Sequence, residues 1–443
     1  NVSAEADERG DAGIFYTPRT EIDLMCRLAL VDNLANHLGA EQKNLLYEVV
    51  FALEPDEKDE ADRRLEQAGL WQALAERLQA TTVVDPACGS GSFLVGMLHI
   101  LDDLQARAQG RKGIHEDPYD RKRRIIGQSL YGVDVMEWAC HVAELRLWLA
   151  LIIDAEIDTT AAHVRNEPLL PHFSFNIRCG DSRVQEVGGV NLAHIKGSKQ
   201  IPSSLKGKIT THKKEKLKFY ANDSECAYRS LEAAKAEELR LFRELLVGQE
   251  GAIAGEIKQL QCRIENPKGG QIRLDGSVDV QPQMELQAAR WQEEIDDLGL
   301  ARQRIEGAID ALRDAAHVPF VWDIAFVEIF EREQGDQRGF DIVVGNPPYV
   351  RQEDISDPTM PREAVTPANK KAYKARLARS VHQAYPRHFG YSAKTGAVSN
   401  AISGKSDLYI YFYYHGLSLL NAKGSFCFIT SNSWLDVGYG AGL

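Results

Sequence analysis

At 443 residues with a net charge of −12, the chain is too long for one usual core and too acidic overall for a general nucleic-acid binder. One large domain with an insertion, or two domains, is expected. It has no apolar run near the ~18 residues of a membrane helix, and its opening "NVSAEADERG" lacks the basic-then-apolar order of an export signal, so a cytoplasmic location is expected. The seven cysteines stand singly, without a CxxC pair or a Cys/His cluster at ligand spacing, so reduced thiols and no metal are expected. Starting on Asn1, the chain is expected to be a fragment or a processed product.

In chain order, "TEIDLMCRLALVDNLANHLG" (20–39) puts Thr20 before an acidic turn, repeats apolar residues at helical spacing and ends at Gly39, which predicts a capped helix. Further helices are predicted over 41–53 and 60–79. "TTVVDPACGSGSFLVGMLHILDDL" then passes from a β-branched strand through a Gly-rich turn into an apolar helix. A second strand ends near Asp134, with a helix over 137–153, and a third apolar segment, "FSFNIRCGDS", ends at Asp181. From about 185 to 315 the chain is polar and lysine-rich, then Ala/Glu/Leu/Gln-rich at 224–265 and 283–314. This predicts two antiparallel helices joined by a hairpin or small loop domain. Such an insertion either decorates a core or reaches DNA or a partner. Beyond it, "GFDIVVGNPP" reads as a buried strand, "DLYIYFYYHGLSLL" as a helix and "GSFCFITSNSWL" as a strand. The alternation predicts a doubly wound, Rossmann-like α/β sheet with N-terminal helices and a large helical insertion.

In such sheets ligands bind where strands exit at their carboxyl ends. "DPACGSGSF" (85–93) lies at such an exit, where Gly89 and Gly91 permit tight turns and close approach of backbone amides. No GK[ST] follows, and the full GxGxxG is absent, so it is neither a Walker loop nor a dinucleotide fingerprint. A short Gly loop alone is a plain βα turn, and a lone strand-end Asp is usually a helix cap. Here Asp85, Asp134 and Asp181 end three successive strands. Such carboxylates can accept ribose hydroxyls and an exocyclic amine, which describes a pocket for an adenosine-containing cofactor.

At the exit of the later strand stands Asn346-Pro347-Pro348-Tyr349. The prolines fix φ and restrict their neighbours, so the Asn346 side-chain oxygen and the Pro347 carbonyl are held rigid as acceptors for an NH2 group. Gripping both hydrogens of a nucleobase amine would return its delocalised lone pair and aim it at an electrophile. Tyr349 adds a stacking face, and a base in duplex DNA would have to flip out to reach it. The plain alternative is a rigid turn. Two basic stretches, 196–218 and 362–394, are candidates for phosphate contact, the second through Lys370, Lys371, Lys374, Arg376 and Arg379. A basic run alone is more often a solvated surface.

Six segments in order, "GIFYTP" (13–18), "DPACGSGSF", "YGVDVMEWACHVAELRLWL", "CGDS", "GNPPYVRQE" and "SDLYIYFYYHGLSLLNAKGSFCFITSNSWL", resemble motifs X, I, II, III, IV and V/VI of the amino-methylating DNA methyltransferases. Their order resembles the gamma class of N6-adenine methyltransferases, and most nearly the methylase portions of type IIG restriction-modification and phage-defence enzymes. The resemblance implies that Phe15, Tyr16, Thr17 and Pro18 border S-adenosylmethionine and that Asp85, Pro86, Ala87, Gly89 and Gly91 hold its methionine end. Asp134 would take the ribose hydroxyls, and Asp181 with Ser182 the cofactor's adenine edge. Asn346, Pro347, Pro348 and Tyr349 would form the catalytic grip, while Tyr409 and Phe412 either pack beside the cofactor or belong to the helix core.

The implied organisation is an N-terminal helical region with motif X (1–80), a cofactor-binding half (81–184), a coiled-coil-like helical insertion (185–318) and a catalytic half (319–443). The expected activity is S-adenosylmethionine-dependent methylation of the adenine N6 amine in double-stranded DNA, with restriction or defence-complex subunits as further partners. The rivals are a protein glutamine methyltransferase, a DNA cytosine-N4 methyltransferase and a nonenzymatic DNA- or cofactor-binding subunit. The chain ends at "DVGYGAGL", ahead of the family's second base-stacking aromatic and its recognition domain, and carries no PD…(D/E)xK nuclease pattern. A C-terminally truncated piece is therefore expected.

Overall fold

The computed structural model of the protein describes residues 16–111, 113, 115–153, 175–184, 186–187, 190–191, 203–220, 223–265, 271–272, 278–279, 282–313, 320–330, 338–392 and 396–432. Among the described residues four α-helices come first: α1 (Arg19–Leu38), α2 (Lys43–Phe51), α3 (Pro55–Gln67) and α4 (Trp71–Ala80). Thr20 is not the cap of α1. Pro18 occupies that position, its ring presetting φ, and the Thr20 hydroxyl donates instead to the Glu21 carboxylate at 2.7 Å. Gly39 does end the helix, at φ 118°, returning its N–H to the Ala35 carbonyl. The single helix predicted over 60–79 is two. Gly69 turns left-handed at φ 68°, and the Gly69 and Leu70 amides bond back to the Glu66 and Leu65 carbonyls, closing α3.

β1 (Val83–Asp85) follows, then α5 (Ser92–Arg111), an unpredicted α6 (Pro118–Ser129) capped by the Asp117 side chain, β2 (Leu130–Asp134), α7 (Glu137–Ile152) and β3 (Ile177–Cys179). Asp181 therefore lies two residues beyond its strand. A small hairpin of β4 (Glu186–Val187) and β5 (Val190–Asn191) precedes three helices: α8 (Ser203–Tyr220), α9 (Leu231–Glu265) and α10 (Pro282–Arg313). Between α9 and α10 a second hairpin pairs β6 (Gln271–Ile272) with β7 (Val278–Asp279). Arg243 donates to the Leu312 carbonyl and Arg302 to Glu250, contacts that run in opposite directions along the two helices and make them antiparallel, as expected. The chain then adds α11 (Trp322–Ala325), α12 (Val327–Phe330), β8 (Phe340–Gly345), α13 (Pro367–Ala384), α14 (Pro386–Phe389), α15 (Leu408–Ser418) and β9 (Leu420–Phe428).

All five main strands are parallel, in the order β3-β2-β1-β8-β9. Both faces are covered at the centre of the sheet, where β1 and β8 are buried throughout. Val83, Ile342 and Val344 pack with α1 to α7, whereas Val84 and Val343 face α11 and α12 through Trp322, Phe326 and Ile329. The helical insertion is fixed to the β3 edge by an ion pair to the buried Glu238, in which Arg178 Nη2 donates to both carboxylate oxygens at 2.8 and 2.6 Å.

Candidate functional site

The chain winds outward from β1 through β2 to β3, then returns to the other side of β1 with β8 and β9. The reversal opens a crevice at the carboxyl ends of β1 and β8, the usual ligand position in such sheets. Asp85 lies on one wall and Gly345 on the other. A Cβ on Gly345 would come within 2.6 Å of the Asp85 carboxylate oxygen, so the acid rests directly on the backbone that leads into Asn346. Gly345→Ala is accordingly expected to destabilise the fold by about 1–3 kcal/mol, the cost of overpacking, read as a lower urea midpoint at unchanged slope.

Asp85 is buried and accepts the Ala87 amide at 3.0 Å; burial pushes its pKa up to about 8, against that hydrogen bond and with help from Asp134. Asp134 accepts the amides of Gly89 and Met136, both at 2.9 Å, and burial raises its pKa as well. The glycine loop needs both of its positive-φ residues, Gly89 at 50° and Gly91 at 75°. Gly91 packs so closely on α7 that a Cβ would sit 2.9 Å from that of Ala143, whereas a Cβ on Gly89 would project into open space. Arg146 braces the same loop from α7, its Nη1 donating to the Ser90 carbonyl and hydroxyl at 3.1 Å each and to the Ser92 hydroxyl at 2.7 Å.

Asp181 is more heavily engaged than its sequence position suggests. One oxygen takes the Arg183 amide (3.0 Å) and Nε (2.8 Å), and the other takes the Tyr373 hydroxyl from α13. Burial alone would raise this acid; the Arg183 guanidinium and the hydrogen bonds from Tyr373 and Arg183 together outweigh it and hold the carboxyl below its ordinary range. Arg183 in turn lies over the rings of Phe412 (5.0 Å) and Tyr373 (5.8 Å). Ser182 is buried, and its carbonyl accepts from the Trp322 indole at 2.8 Å. Phe412 and Tyr409 are both buried in the α15 core.

The rigid tetrapeptide meets the N-terminal segment. Asn346 Nδ2 donates to Thr17 Oγ1 at 3.0 Å, which fixes the amide so that Oδ1 faces away from Thr17. Tyr16 is exposed beside it, Pro18 opens α1, and Phe15 lies outside the described residues. Pro347 is buried, and the Tyr349 hydroxyl donates to the Ile429 carbonyl at 3.0 Å, its ring tilted 46° to that of Tyr409. The following loop is locked to α15, where Asp407 accepts the Gln352 amide at 2.9 Å and Leu408 N–H donates to the Val350 carbonyl at 3.0 Å.

One profile, that of the Eco57I restriction-modification methylases, matches residues 128–443, well over half of the chain. The chain belongs to the Eco57I restriction-modification methylase family. The DNA-methyltransferase domain of the MmeI type also matches residues 58–187. A Methanocaldococcus jannaschii protein named as a type II restriction enzyme and methyltransferase is 26% identical over 358 residues. That alignment covers 79% of this chain but only 29% of the relative, so the chain spans less than a third of that protein's length.

In this Eco57I-family methylase several side chains of the basic stretches make structural contacts. Lys374 donates to the carbonyls of Gln352 (3.1 Å) and Gly404 (2.8 Å), Lys370 to that of Glu353 (2.9 Å), and Arg376 pairs with Asp357 at 3.0 Å. They brace the segment after the tetrapeptide; Lys371 and Arg379 lie at the exposed surface of α13. In α8, Lys216 is buried against the Ala325 carbonyl and Lys213 reaches that of Glu328, which staples the insertion to its neighbours, while Lys208 pairs with Glu244 within it. Among the described residues no group of His, Cys, Asp and Glu is arranged to hold a metal, and no helix is long and apolar enough to cross a membrane. Sequence reasoning missed Arg146, Arg183 and Tyr373. A single cation in an apolar helix was the available sign for Arg146; Tyr373 gave none, lying in a segment read only for its charge.

Proposed function

We propose that this chain is the catalytic core of an S-adenosylmethionine-dependent methyltransferase acting on the N6 amine of adenine in DNA. The observation that carries the reading is the meeting of Asp85 with Gly345-Asn346 across one crevice, which sets an acid-lined glycine loop beside a rigid amide acceptor. The donor set suits the cofactor. S-adenosylmethionine carries an ammonium and a sulfonium, a ribose diol and an adenine, and its bound form supplies an electrophilic methyl. Asp85 with the open space over Gly89 would hold the charged end, and Asp134 the diol. Asp181 has little acceptor capacity left after Arg183 and Tyr373, so its part is to hold that wall in place.

Asn346 Oδ1 and the Pro347 carbonyl would accept the two hydrogens of the target amine, restoring its lone pair, while Tyr349 stacks on the flipped base. The test is to incubate the chain with DNA and tritiated-methyl cofactor and to analyse the nucleosides. N6-methyladenine is expected; N4-methylcytosine would move the target to cytosine, and no labelled nucleoside would sink the enzymatic reading.

Asp85 gives a second test. Its folded-state pKa of about 8 lies above the ordinary carboxylate value, so its contribution to stability is complete below that ordinary value and is lost as pH rises through about 8. A cation bound beside Asp85 lowers that pKa. Cofactor binding near pH 7 is therefore expected to release up to about one proton, visible as a binding enthalpy that varies with buffer ionisation enthalpy. A buffer-independent enthalpy would remove Asp85 from the cation site. For DNA, the exposed Lys371 and Arg379 are the proposed phosphate contacts. Replacing either by alanine is expected to reduce the slope of log affinity against log salt by about 1, and an unchanged slope would exclude that residue.

A further inference from the structure

Cys140, in the first turn of α7, and Cys179, the last residue of β3, meet at the exit of β2. Cys179 pairs with Asp134 in the strand register, and the Cys140 thiol points at the carbonyls of Asp134 (3.7 Å) and Arg178 (3.5 Å). The Cys179 sulfur in turn faces the Val135 carbonyl at 3.5 Å, so both thiols lie against the chain as it leaves β2. Cys140 is buried and Cys179 is exposed. Hydrogen bonding from Cys140, with a smaller pull from Lys235 on α9, holds the Cys179 thiol below its ordinary pKa, while Cys140 is pushed up. An accessible, acidified thiol beside a second thiol is the arrangement of oxidation-sensing cysteine pairs. The remaining buried cysteines lack it: Cys26, Cys88 and Cys226 all have raised values.

We propose that Cys140 and Cys179 form a dithiol that peroxide closes to a disulfide, and that closure weakens cofactor binding at Asp134. The Cys179 thiolate attacks the peroxide O–O bond, taking one oxygen to become a sulfenic acid and releasing hydroxide. Cys140 then attacks the Cys179 sulfur; the S–S bond forms, the S–O bond breaks, and the oxygen leaves as water with the Cys140 proton. The two thiols are oxidised and the peroxide is reduced to water. Closure removes the Cys140 hydrogen bond from the Asp134 carbonyl, which also receives the Gly180 amide at 2.8 Å. It thereby draws on the residue whose side chain holds the Gly89 end of the glycine loop. The gate rests on the proposed role of Asp134; the dithiol does not.

The whole chain, reduced and then exposed to hydrogen peroxide, is alkylated, digested and mapped by mass spectrometry, while binding of tritiated S-adenosylmethionine is followed by equilibrium dialysis. A peptide linking Cys140 to Cys179, reversed by dithiothreitol and absent from C179S, is expected together with a several-fold loss of cofactor affinity that C179S escapes. Over-oxidation of Cys179 with Cys140 still alkylated, or no linked peptide at all, would overturn the dithiol. A linked peptide with unchanged affinity would overturn the gate. A reduced protein that binds no cofactor would sink the proposed function and the gate together, while the linked peptide would still establish the dithiol.

Discussion

Replacing Asn346 by alanine is expected to reduce methyl transfer to DNA by at least about 10²–10³-fold, the usual cost of deleting one preorganised polar group that acts on developing charge. The proposed work of this residue lies in the transition state, so affinity for the cofactor is expected to change little. Asn346 projects from the end of a fully buried strand, and its amide is orientated by Thr17, a residue 329 positions away in the chain. Thr17→Val therefore serves as a control for orientation: it leaves the acceptor oxygen in place and is expected to lower the rate far less. Single-turnover transfer of a tritiated methyl group measures both. An Asn346→Ala variant within a few-fold of the parent rate would remove the residue from the chemistry.

The largest effect on stability is expected at the opposite end of the same strand pair. Asp341 is almost fully buried and collects the Thr82 amide (2.9 Å) and hydroxyl (3.0 Å), the Asn421 amide nitrogen (2.7 Å) and an ion pair with Arg77. Its backbone carbonyl accepts from Asn33 of α1 at 2.9 Å. One carboxylate thus joins α4, β1, β8 and β9. Asp341→Ala leaves the Arg77 guanidinium buried without its counter-charge, so a loss of about 3–5 kcal/mol is expected in urea denaturation. Asp341→Asn, which keeps an acceptor but not the charge, is expected to fall between the two. His37 stands 3.8 Å away, and burial lowers its pKa; an imidazole is neutral or cationic, so it cannot stand in for the lost carboxylate. A loss under about 1 kcal/mol in the alanine variant would show that Arg77 finds water instead.

What could be read from the sequence is what is local. A β-branched run ending at Asp85, a strand ending at Asp134, two glycines that need positive φ and two prolines at a strand exit each carry their own stereochemistry, and each stands where expected. The fold class followed from their alternation with helices. The partners of charged side chains did not follow, because they are set by tertiary contacts. Lys216 meets Glu328 at a separation of 112 residues, and Tyr373 meets Asp181 at 192. So part of a lysine-rich run that suggested a surface for DNA instead ties α8 to its neighbours, through Lys213 and Lys216. The Asp read as a ligand for the cofactor's adenine also anchors an arginine and a tyrosine that no sequence pattern announced. The break at Gly69 was missed because helical spacing of apolar residues continues on both sides of it.

The placement of β8 beside β1 has a consequence for how the molecule is made. Thr82 and Asp341 are joined across 259 residues, and Ser425 reaches the Ala29 carbonyl across 396. Contacts this remote in sequence carry a loop-closure cost and slow folding. On the ribosome, β1 and α1 emerge long before the strands that cover them. Until β8 arrives, one edge of β1 stays open to pairing with the wrong chain. The crevice is therefore among the last features to form, and a nascent chain stalled in the helical insertion would have the glycine loop but no tetrapeptide to face it.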